Sequence, residues 1–460
     1  MSVHLIGMGG IGMSGIAQLL LSRGERVSGS DIQENPLLKR IAKMGGQVRI
    51  GHAASHLNGA ELVVYSSSIV PQNPELVKAR NRGIRVLHRG QMLAQLVLGR
   101  STIAVAGSHG KSTTTALVGQ LLIQAGLDPM VVLGAEVDPL GGNVRSGHGR
   151  YAILEADESD GSFLWLQPKM AVITNIDEEH LDYFRNSSEI LETYAAFVTK
   201  VHPRGTLIGC ADDPRVRQIL AISKRRLITY GLSNRAQITA VEIEGGAGRS
   251  RYRCLRSGKT LGKIQLSIPG IHNVVNSLAV VGLAQSLGID FATTQAALES
   301  YQGARRRFQI HGEVNGVLVV EDYAHHPAEI QATLQAARSW KGRKIMAVFQ
   351  PHRYSRTRYL LKRFGSSFDL ADEVILLPIY AASEDPIHQV TSESLLKEIQ
   401  ACGKTKVSLQ SKEEVLGQLT QQSKPGDLIL FLGAGSIGGL SLRLVEALKE
   451  KEDATSASTL

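Results

Sequence analysis

Short apolar runs rich in valine and isoleucine alternate with segments of helical periodicity along almost the whole chain. Ala152–Glu155, Ala171–Thr174 and Asp427–Leu432 are three of these runs. Apolar runs this short, bounded by polar turns, are typical of strands that are buried on both faces of a parallel sheet. Helices then join the strands and cover the sheet. The alternation therefore predicts an α/β protein.

The chain divides into three blocks of this kind. Because a domain holds about 150 residues, the 460 residues of the chain fit three domains. We predict domains over residues 1–99, 100–302 and 303–460, of which the first and the last are Rossmann-like. Polar and apolar residues alternate between about Ala236 and Pro269, which predicts antiparallel strands at the edge of the central parallel sheet.

Charge and cysteine content exclude several classes of protein. Lysine and arginine number 51 against 42 acidic residues, but they are scattered, and aromatic residues make up only 5% of the chain. This favours small anionic substrates over nucleic acid, which needs a continuous basic face and stacking platforms. The three isolated cysteines, the lack of a signal-peptide pattern and the lack of an apolar run of bilayer length predict a cytoplasmic protein without a membrane contact.

A glycine-rich turn, Gly7–Gly12, follows the first predicted strand and precedes a helical segment. Asp31 ends the next predicted strand. These are the features of a dinucleotide-binding fingerprint, in which glycines permit a tight turn and a helix N-terminus attracts a diphosphate. A nicotinamide, a flavin and a sugar nucleotide all carry a diphosphate, so the ligand stays open at this point. Glycines that serve helix packing alone are the other interpretation.

A second turn of the same spacing, Gly433–Gly438, also lies between an apolar run and a helical segment. No acidic residue ends a following strand there, because the chain finishes with that helix. We therefore interpret it as a tight turn between strand and helix, with a minor ligand-binding role as the alternative.

The strongest local signal is Gly107–Ser112, directly after the predicted strand that ends at Ala106. The N–H groups of such a loop point at phosphate oxygens, Lys111 adds a positive charge, and the Ser112 hydroxyl can hold Mg²⁺. The general spacing of this motif would place its first glycine at Val105, so the loop is a shortened one. The sequence therefore predicts a site for ATP and Mg²⁺.

Acidic residues follow two further strands of the central block. Glu155 ends one apolar run and is followed by Asp157, Glu158 and Asp160, while His180 stands among acids after the next run. In a parallel sheet the carboxyl ends of the strands share one edge, which is where ligands bind. Carboxylate oxygens are the ligands that Mg²⁺ prefers, so we expect these residues beside the phosphate loop.

Taken together, these segments resemble the Mur ligases, the ATP-dependent amide-forming enzymes of peptidoglycan precursor synthesis. The resemblance covers essentially all three blocks. It is carried by Gly7–Gly15, Gly107–Thr115, Glu155–Asp160, Thr174–Asp182, Gly270–Asn276, Arg306–Phe308, Asp322–Pro327 and Phe349–Thr357.

The resemblance implies a first domain that binds a UDP-sugar, a central ATP-binding domain of the P-loop type and a third domain that binds an amino acid. It is greatest to the members that join L-alanine to the lactyl carboxylate of UDP-N-acetylmuramate. In the implied reaction the carboxylate takes the γ-phosphate of ATP to form an acyl phosphate, and the amine of L-alanine then displaces phosphate. Small molecules would be the only partners of a monomer or homodimer.

The resemblance also implies roles for individual residues. Ser112, Glu155 and His180 would be metal ligands. ATP would be contacted by Gly107, Ser108, His109, Gly110, Lys111, Ser112, Thr113, His272, Asn273, Asn276, Arg306 and Asp322. The UDP-sugar or the amino acid would be contacted by Gly9, Gly10, Ile11, Gly12, Asp31, Ser66, Ser67, Tyr323, His325, Arg353 and Arg356. The catalytic set would be Lys111, Glu155, His180, His325, Arg353 and Arg356.

Three alternatives stay open on the sequence alone. Within the family, a recycling ligase attaches a whole tripeptide to the same nucleotide. A nicotinamide-dependent oxidoreductase would use the turn Gly7–Gly12 and Asp31 but would leave Lys111 without a role. A nucleotide switch without catalysis would use ATP binding only to reorder domains.

Overall fold

The computed structural model describes residues 1–180, 183–382 and 384–458. It confirms the predicted α/β class, with three separate sheets that are mainly parallel and are covered by helices. Within the described ranges, no helix combines the length and the apolar character that crossing a membrane requires.

The first domain is a five-stranded sheet in the order β3-β2-β1-β4-β5, with every neighbouring pair parallel. Its strands are β1 (Ser2–Ile6), β2 (Arg26–Asp31), β3 (Gln47–Ile50), β4 (Leu62–Tyr65) and β5 (Arg85–His88). Its helices are α1 (Ile11–Ser22), α2 (Pro36–Lys43), α3 (Pro74–Asn81) and α4 (Arg89–Leu96). The strand order reverses at β1, so the turn between β1 and α1 lies at the crevice where such sheets bind ligands.

The central domain is a ten-stranded sheet in the order β15-β14-β13-β12-β11-β10-β6-β9-β7-β8. Its strands are β6 (Ser101–Ala106), β7 (Met130–Val137), β8 (Gly142–Ser146), β9 (Tyr151–Glu155), β10 (Met170–Ile173), β11 (Thr206–Cys210), β12 (Arg226–Gly231), β13 (Ile238–Gly246), β14 (Arg249–Arg256) and β15 (Lys259–Leu266). Its helices are α5 (Lys111–Gln124), α6 (Ser187–Lys200), α7 (Pro214–Ala221), α8 (Ile271–Leu287) and α9 (Phe291–Ser300). The antiparallel edge predicted between about Ala236 and Pro269 is confirmed, since β13, β14 and β15 pair in antiparallel fashion.

The third domain is a six-stranded sheet in the order β16-β17-β21-β18-β19-β20, antiparallel only between β16 and β17. Its strands are β16 (Gln309–Val314), β17 (Val317–Asp322), β18 (Lys344–Phe349), β19 (Glu373–Leu376), β20 (Val407–Leu409) and β21 (Asp427–Leu432). Its helices are α10 (Pro327–Ala337), α11 (Tyr354–Gly365), α12 (Ser392–Ala401), α13 (Lys412–Gln422) and α14 (Gly438–Ser458).

Burial explains why the central strands read as continuous apolar runs. Every residue of β10, β17 and β21 is buried, because helices cover both faces of these sheets. The strands β6, β9 and β10 are parallel neighbours, so Ala106, Glu155 and Ile173 end at the same edge. That edge carries the phosphate loop and the acidic residues, and the third domain faces it.

Candidate active site

The phosphate loop between β6 and α5 turns at glycine. Gly110 has a φ of 79°, and a Cβ at this position would come within 2.6 Å of the Asn276 amide oxygen. Both the left-handed backbone and the close approach require glycine. The Asn175 side chain fixes the loop from the other side, accepting from the His109 N–H at 2.8 Å and donating to the His109 carbonyl at 3.0 Å. The first N–H groups of α5 are thereby presented at the domain edge, where an anion can bind.

Lys111 is the buried positive charge of this loop. Its ammonium donates to the carbonyl oxygens of Gly107 at 2.6 Å and Ser108 at 3.2 Å, and to the Glu158 carboxylate at 2.8 Å. Burial opposes the charge, but the carboxylates of Glu158 and Asp157 outweigh it and raise the pKa of Lys111 above its ordinary value. Lys111 therefore stays protonated at any physiological pH and can face a triphosphate.

Glu155 and Ser112 are brought together as predicted. The Ser112 hydroxyl donates to Glu155 Oε1 at 2.9 Å, and the N–H of Gly134 in β7 donates to Glu155 Oε2 at 2.7 Å. A Cβ at Gly134 would lie 2.8 Å from Glu155 Oε1, so a larger residue there would displace the carboxylate. This contact with Gly134 could not be predicted from the sequence, because β7 joins β9 only in the folded sheet.

His180 does not lie with Ser112 and Glu155 but in a separate acidic group, together with Glu158 and Glu179. One ligand atom from each of the three lies within 4.8 Å of the others, and both carboxylates are almost completely buried. Glu158 Oε2 and Glu179 Oε1 have no hydrogen-bond partner among the described residues. Buried carboxylate oxygens in want of a partner, beside a phosphate loop, fit a hard divalent cation. The predicted metal ligands are thus divided between two groups, Ser112 with Glu155 and His180 with Glu158 and Glu179.

His180 has a φ of 56°, a conformation that is uncommon outside glycine and asparagine and that occurs at functional sites. The predicted motif continues to Leu181 and Asp182, which lie outside the described residues.

A cavity of about 250 Å³ opens beside the phosphate loop, between the central and third domains. His272, Asn273 and Asn276, which are predicted to contact ATP, line it from α8. Tyr301 and Phe308 add aromatic surface, and Gly110, Ser112 and Thr113 form the loop side. An apolar cavity with a few amide and imidazole groups suits a purine base.

Asp322 lies at the third-domain wall of this cavity. Its carboxylate accepts from the backbone N–H of Phe308 and of Ala324, each at 2.7 Å. Burial nevertheless raises the pKa of Asp322 to about 6. Asp322, predicted to contact ATP, therefore lines this cavity, and two of its hydrogen-bonding positions are used to shape the loop.

The structure places Arg307, rather than the predicted Arg306, in the cavity wall. Arg306 has a φ of 59°, which turns its side chain to Glu321 at 2.6 Å and to the Gly433 carbonyl at 2.8 Å, both within the third domain. In this arrangement the hydrogen bonds of Arg306 stabilise the third domain. A chain of three successive arginines could not reveal from spacing alone which guanidinium faces the ligand.

Tyr323 and His325 follow β17 and lie close to the central domain. The guanidinium of Arg307 stacks over the Tyr323 ring at 5.2 Å. His325 Nδ1 lies 2.9 Å from the Tyr323 carbonyl, and His325 Nε2 lies 3.9 Å from Glu179. Burial, helped by Arg356, lowers the pKa of His325 to about 4, so the ring is neutral. A neutral ring that donates from Nδ1 carries its lone pair on Nε2, facing the central domain.

Arg353 and Arg356 line a smaller cavity together with Glu179, His180 and His326. Arg353 has a φ of 72° at the start of α11, and its guanidinium lies 3.9 Å from Glu384. The Arg356 guanidinium lies 3.1 Å from the His352 ring. Both predicted arginines thus reach the space beside the acidic group of the central domain.

In the first domain, the predicted substrate contacts Gly9 and Gly10 end the turn before α1, and the predicted contacts Ile11 and Gly12 begin that helix. Asp31 accepts from the Gly9 N–H at 2.7 Å and so clamps this turn. That contact gives Asp31 a structural role beside the predicted contact with the substrate.

Ser66 and Ser67 follow β4, near the same turn. Ser67 is hydrogen-bonded to Asp160 of the central domain. Arg89 also donates to Asp160, at 2.6 Å, and to Asp157 at 2.7 Å. A Cβ at Gly12 would lie 3.4 Å from the Arg89 guanidinium. Sequence reasoning missed Arg89, which connects the glycine turn of the first domain with the acids beside the phosphate loop.

The second glycine turn, Gly433–Gly438, is filled by the protein's own side chains. A Cβ at Gly435 would come within 2.7 Å of the Gln350 amide oxygen, and Arg306 donates to the Gly433 and Gly435 carbonyls. Close packing therefore accounts for the glycines of this turn.

Glu329 is a further site residue that the sequence did not reveal, and Asp177 lies in the predicted motif Thr174–Asp182 but had no role assigned to it. His109 of the phosphate loop lies 3.3 Å from Glu329 of α10 and 3.4 Å from Asp177. Burial opposes a charge on His109, but Glu179, Asp177 and Glu329 outweigh it and raise its pKa to about 10. The Arg363 guanidinium of α11 donates to both oxygens of Asp177, at 3.1 and 3.2 Å. The only local signal for Glu329 was its position in the capping box of α10.

Known protein families match this chain along most of its length. Models described as the Mur ligase family catalytic domain, the Mur ligase middle domain and the Mur ligase glutamate ligase domain match residues 2–101, 105–284 and 306–435. The chain belongs to the Mur ligase family. The resemblance noted in the sequence is confirmed, and the Mur ligases depend on ATP, as the phosphate loop predicted.

Named Mur ligases are similar over almost their full length. A UDP-N-acetylmuramate–L-alanine ligase of Anaeromyxobacter sp. is 45% identical over 97% of this chain and 98% of its own. The ligase of the same name from Pelotomaculum thermopropionicum is 44% identical over 98% of each chain. The crystal structure of the UDP-N-acetylmuramate–alanine ligase of Thermotoga maritima has a TM-score of 0.84 and 30% identity, covering 98% of this chain and 100% of its own. A murein peptide ligase of Psychrobacter arcticus shares the fold, with a TM-score of 0.73 at 24% identity over 97% and 98% of the two chains.

Proposed function

We propose that this protein is an ATP-dependent ligase that joins L-alanine to the lactyl carboxylate of UDP-N-acetylmuramate in peptidoglycan precursor synthesis. The observation that carries the proposal is the similarity, over nearly the whole chain, to ligases named for this reaction. Membership of the Mur ligases leaves the nicotinamide-dependent oxidoreductase without support. The murein peptide ligase shares the fold at lower identity, so the similarity favours alanine over a tripeptide.

The first chemical step brings two anions together. The lactyl carboxylate attacks the γ-phosphorus of ATP, the bond to ADP breaks, and an acyl phosphate forms. Lys111 and the N–H groups at the start of α5 offset the repulsion, and a well-placed donor of this kind contributes about 3 kcal/mol in a transition state. The cavity lined by His272, Asn273 and Asn276 would hold the adenine, and Arg307 would face the phosphates.

The acidic residues fit Mg²⁺. Ser112 with Glu155, and His180 with Glu158 and Glu179, would hold it through oxygen and imidazole ligands. When bound, Mg²⁺ neutralises phosphate charge and orients the γ-phosphate.

In the second step the amine of L-alanine attacks the carbonyl carbon of the acyl phosphate, and phosphate leaves. The attacking amine must lose a proton. The neutral ring of His325 can accept it at Nε2, because Nδ1 donates to the Tyr323 carbonyl. Arg353 and Arg356 would bind the alanine carboxylate, for which planar guanidinium groups are suited.

The first domain would hold the UDP-sugar, with its diphosphate on Gly9–Gly12 and with Ser66 and Ser67 beside it. Arg89 would then link the sugar nucleotide to Asp157 and Asp160.

The domain limits 1–99, 100–302 and 303–460 stay predictions in this scheme.

A substrate panel tests the proposal directly. Phosphate release is measured with ATP, Mg²⁺ and UDP-N-acetylmuramate, adding L-alanine, glycine, L-serine or the tripeptide one at a time. We expect release with L-alanine and little with the tripeptide, also when the two compete. Release that requires the tripeptide would instead identify a recycling ligase. The variant Lys111→Ala is the matched control, since it should lose turnover and keep UDP-sugar binding.

A further inference from the structure

A carboxylate of the first domain is buried outside the sites described so far. Glu75, in the first turn of α3, has no exposed surface. Its Oε1 lies 2.6 Å from His56 Nδ1 and accepts from the Ala53 N–H at 3.2 Å. Its Oε2 accepts from the Ser30 hydroxyl at 2.5 Å.

Two further histidines complete this group. His4 of β1 is fully buried and lies 3.4 Å from Glu75 Oε2, while His52 lies 3.5 Å from Glu75 and 2.9 Å from the Ser30 hydroxyl. Burial opposes ionisation of Glu75, but the nearby His4 and the hydrogen bonds from Ser30 and His56 outweigh it and lower its pKa to about 2. Glu75 is therefore a buried carboxylate that stays ionised at physiological pH, with three imidazoles around it.

Ser30 connects this group to the glycine turn. Its carbonyl oxygen accepts from two successive N–H groups of the turn, those of Gly7 and Met8, each at 2.9 Å. The next residue, Asp31, accepts from the Gly9 N–H. With these three N–H groups occupied, the free donors are those in the first turn of α1, beginning at Ile11.

A buried ionised group is a poor means of stabilising a domain, because its desolvation offsets what its partners contribute. Glu75 instead fixes one end of a chain of contacts whose other end is the turn. We propose that Glu75 is a positioning residue for the UDP-sugar: through Ser30 it sets the direction in which the first N–H groups of α1 face the diphosphate. The inference rests on the proposed function, since it takes that turn as the diphosphate site.

The test compares variants in binding and in kinetics. Glu75→Gln keeps the shape of the side chain but removes the charge that Ser30 and His56 share. We expect the Kd and the KM for UDP-N-acetylmuramate to rise about tenfold, while the KM for ATP and for L-alanine and the kcat change less than twofold. Ser30→Ala cuts the same connection at another point, so it should give the same selective rise in KM even if Glu75→Gln folds poorly.

Asn73→Ala is the matched structural control. Asn73 caps the same helix, accepting from the N–H groups of Glu75 and Leu76, and its loss should lower the melting temperature of the protein. It leaves the contact between Glu75 and Ser30 in place, so the KM for the UDP-sugar should not change. If Glu75→Gln and Ser30→Ala only lower the melting temperature, as Asn73→Ala does, Glu75 has no positioning role. If wild-type protein releases no phosphate with L-alanine, the proposed function fails first and separately.

Discussion

Both contacts between domains include ion pairs, but among the described residues only one of them also contains a neutral, buried network. Arg89 pairs with Asp157 and Asp160 where the first and central domains meet. Beside α1 these two domains also meet through Asn143 of β8, which has no exposed surface and bonds to the Gln18 amide, the Ser14 hydroxyl and the Ile11 carbonyl. The central and third domains meet through charged groups at the phosphate loop, with His109 placed between Asp177 and Glu329.

This difference indicates how each contact behaves. A neutral network in which donors and acceptors are matched holds two elements in one arrangement, and separating them leaves buried polar atoms without partners. Ionic groups at the border of a cavity can separate without losing their partners altogether, because a charged ligand such as a phosphate can replace the partner that leaves. We therefore expect the first and central domains to act as one unit, and the third domain to be the part whose approach depends on ligand charge.

Glu329→Gln should have the largest effect on the second contact. The change removes the charge that faces His109, His325 and Arg307 while it keeps the shape of the side chain. Losing one member of a buried charged group costs several kcal/mol, so we expect kcat/KM for L-alanine to fall about 100-fold. UDP-sugar binding, measured by calorimetry, should be unaffected. An equal loss of UDP-sugar affinity would mean that the two contacts are not separate.

Asn143→Ala should have the largest effect on the first contact. Three hydrogen bonds disappear and the Gln18 amide loses a partner, which costs about 2 kcal/mol of unfolding free energy. Urea denaturation measures this loss. Because the neutral network carries no charge, the same loss is expected at low and at high salt, and a strong salt dependence would contradict the comparison.

The charged contact should also weaken as the pH rises. The pKa of His109 is about 10 in the folded protein against an ordinary 6.5, so its stabilisation is fully present below pH 6.5 and is lost as the pH rises through about 10. Between these values the unfolding free energy should fall by up to about 1.4 kcal/mol per pH unit. His109→Gln should remove this part of the slope in parallel urea titrations at pH 7, 8 and 9. An unchanged slope would show that His109 is neutral.

Arg363→Ala should have the smallest effect. The Arg363 side chain is 41% exposed, and exposed pairs of this kind contribute at most about 1 kcal/mol. We expect a change of about 0.5 kcal/mol that vanishes in 0.5 M salt, with kcat within about twofold of wild type. A larger or salt-independent change would show that Arg363 belongs to the buried part of the contact.

Sequence patterns predicted those features that depend on a single strand and the loop that follows it. The phosphate loop, Glu155 and His180 were predicted from runs that end in polar residues, since parallel strands place those ends at one edge. The fold class followed from the same alternation.

The remaining features depend on contacts between segments that are distant in the chain. Glu329 faces His109 only because α10 of the third domain reaches the phosphate loop, 220 positions away. The choice between Arg306 and Arg307 depends on a left-handed backbone that three successive arginines do not reveal. The second glycine turn has the spacing of the first, and only Gln350 and Arg306, which fill it, tell the two apart.

The cavity beside the phosphate loop has one wall from α8 and another from Asp322, Ala328 and Glu329. A compound that fills it would contact the central and third domains at once. It would dissociate only as fast as these two domains separate. The dissociation rate of an inhibitor from this cavity would therefore report the rate at which the two domains separate. A mutation far from the compound could cause resistance by making the two domains separate faster.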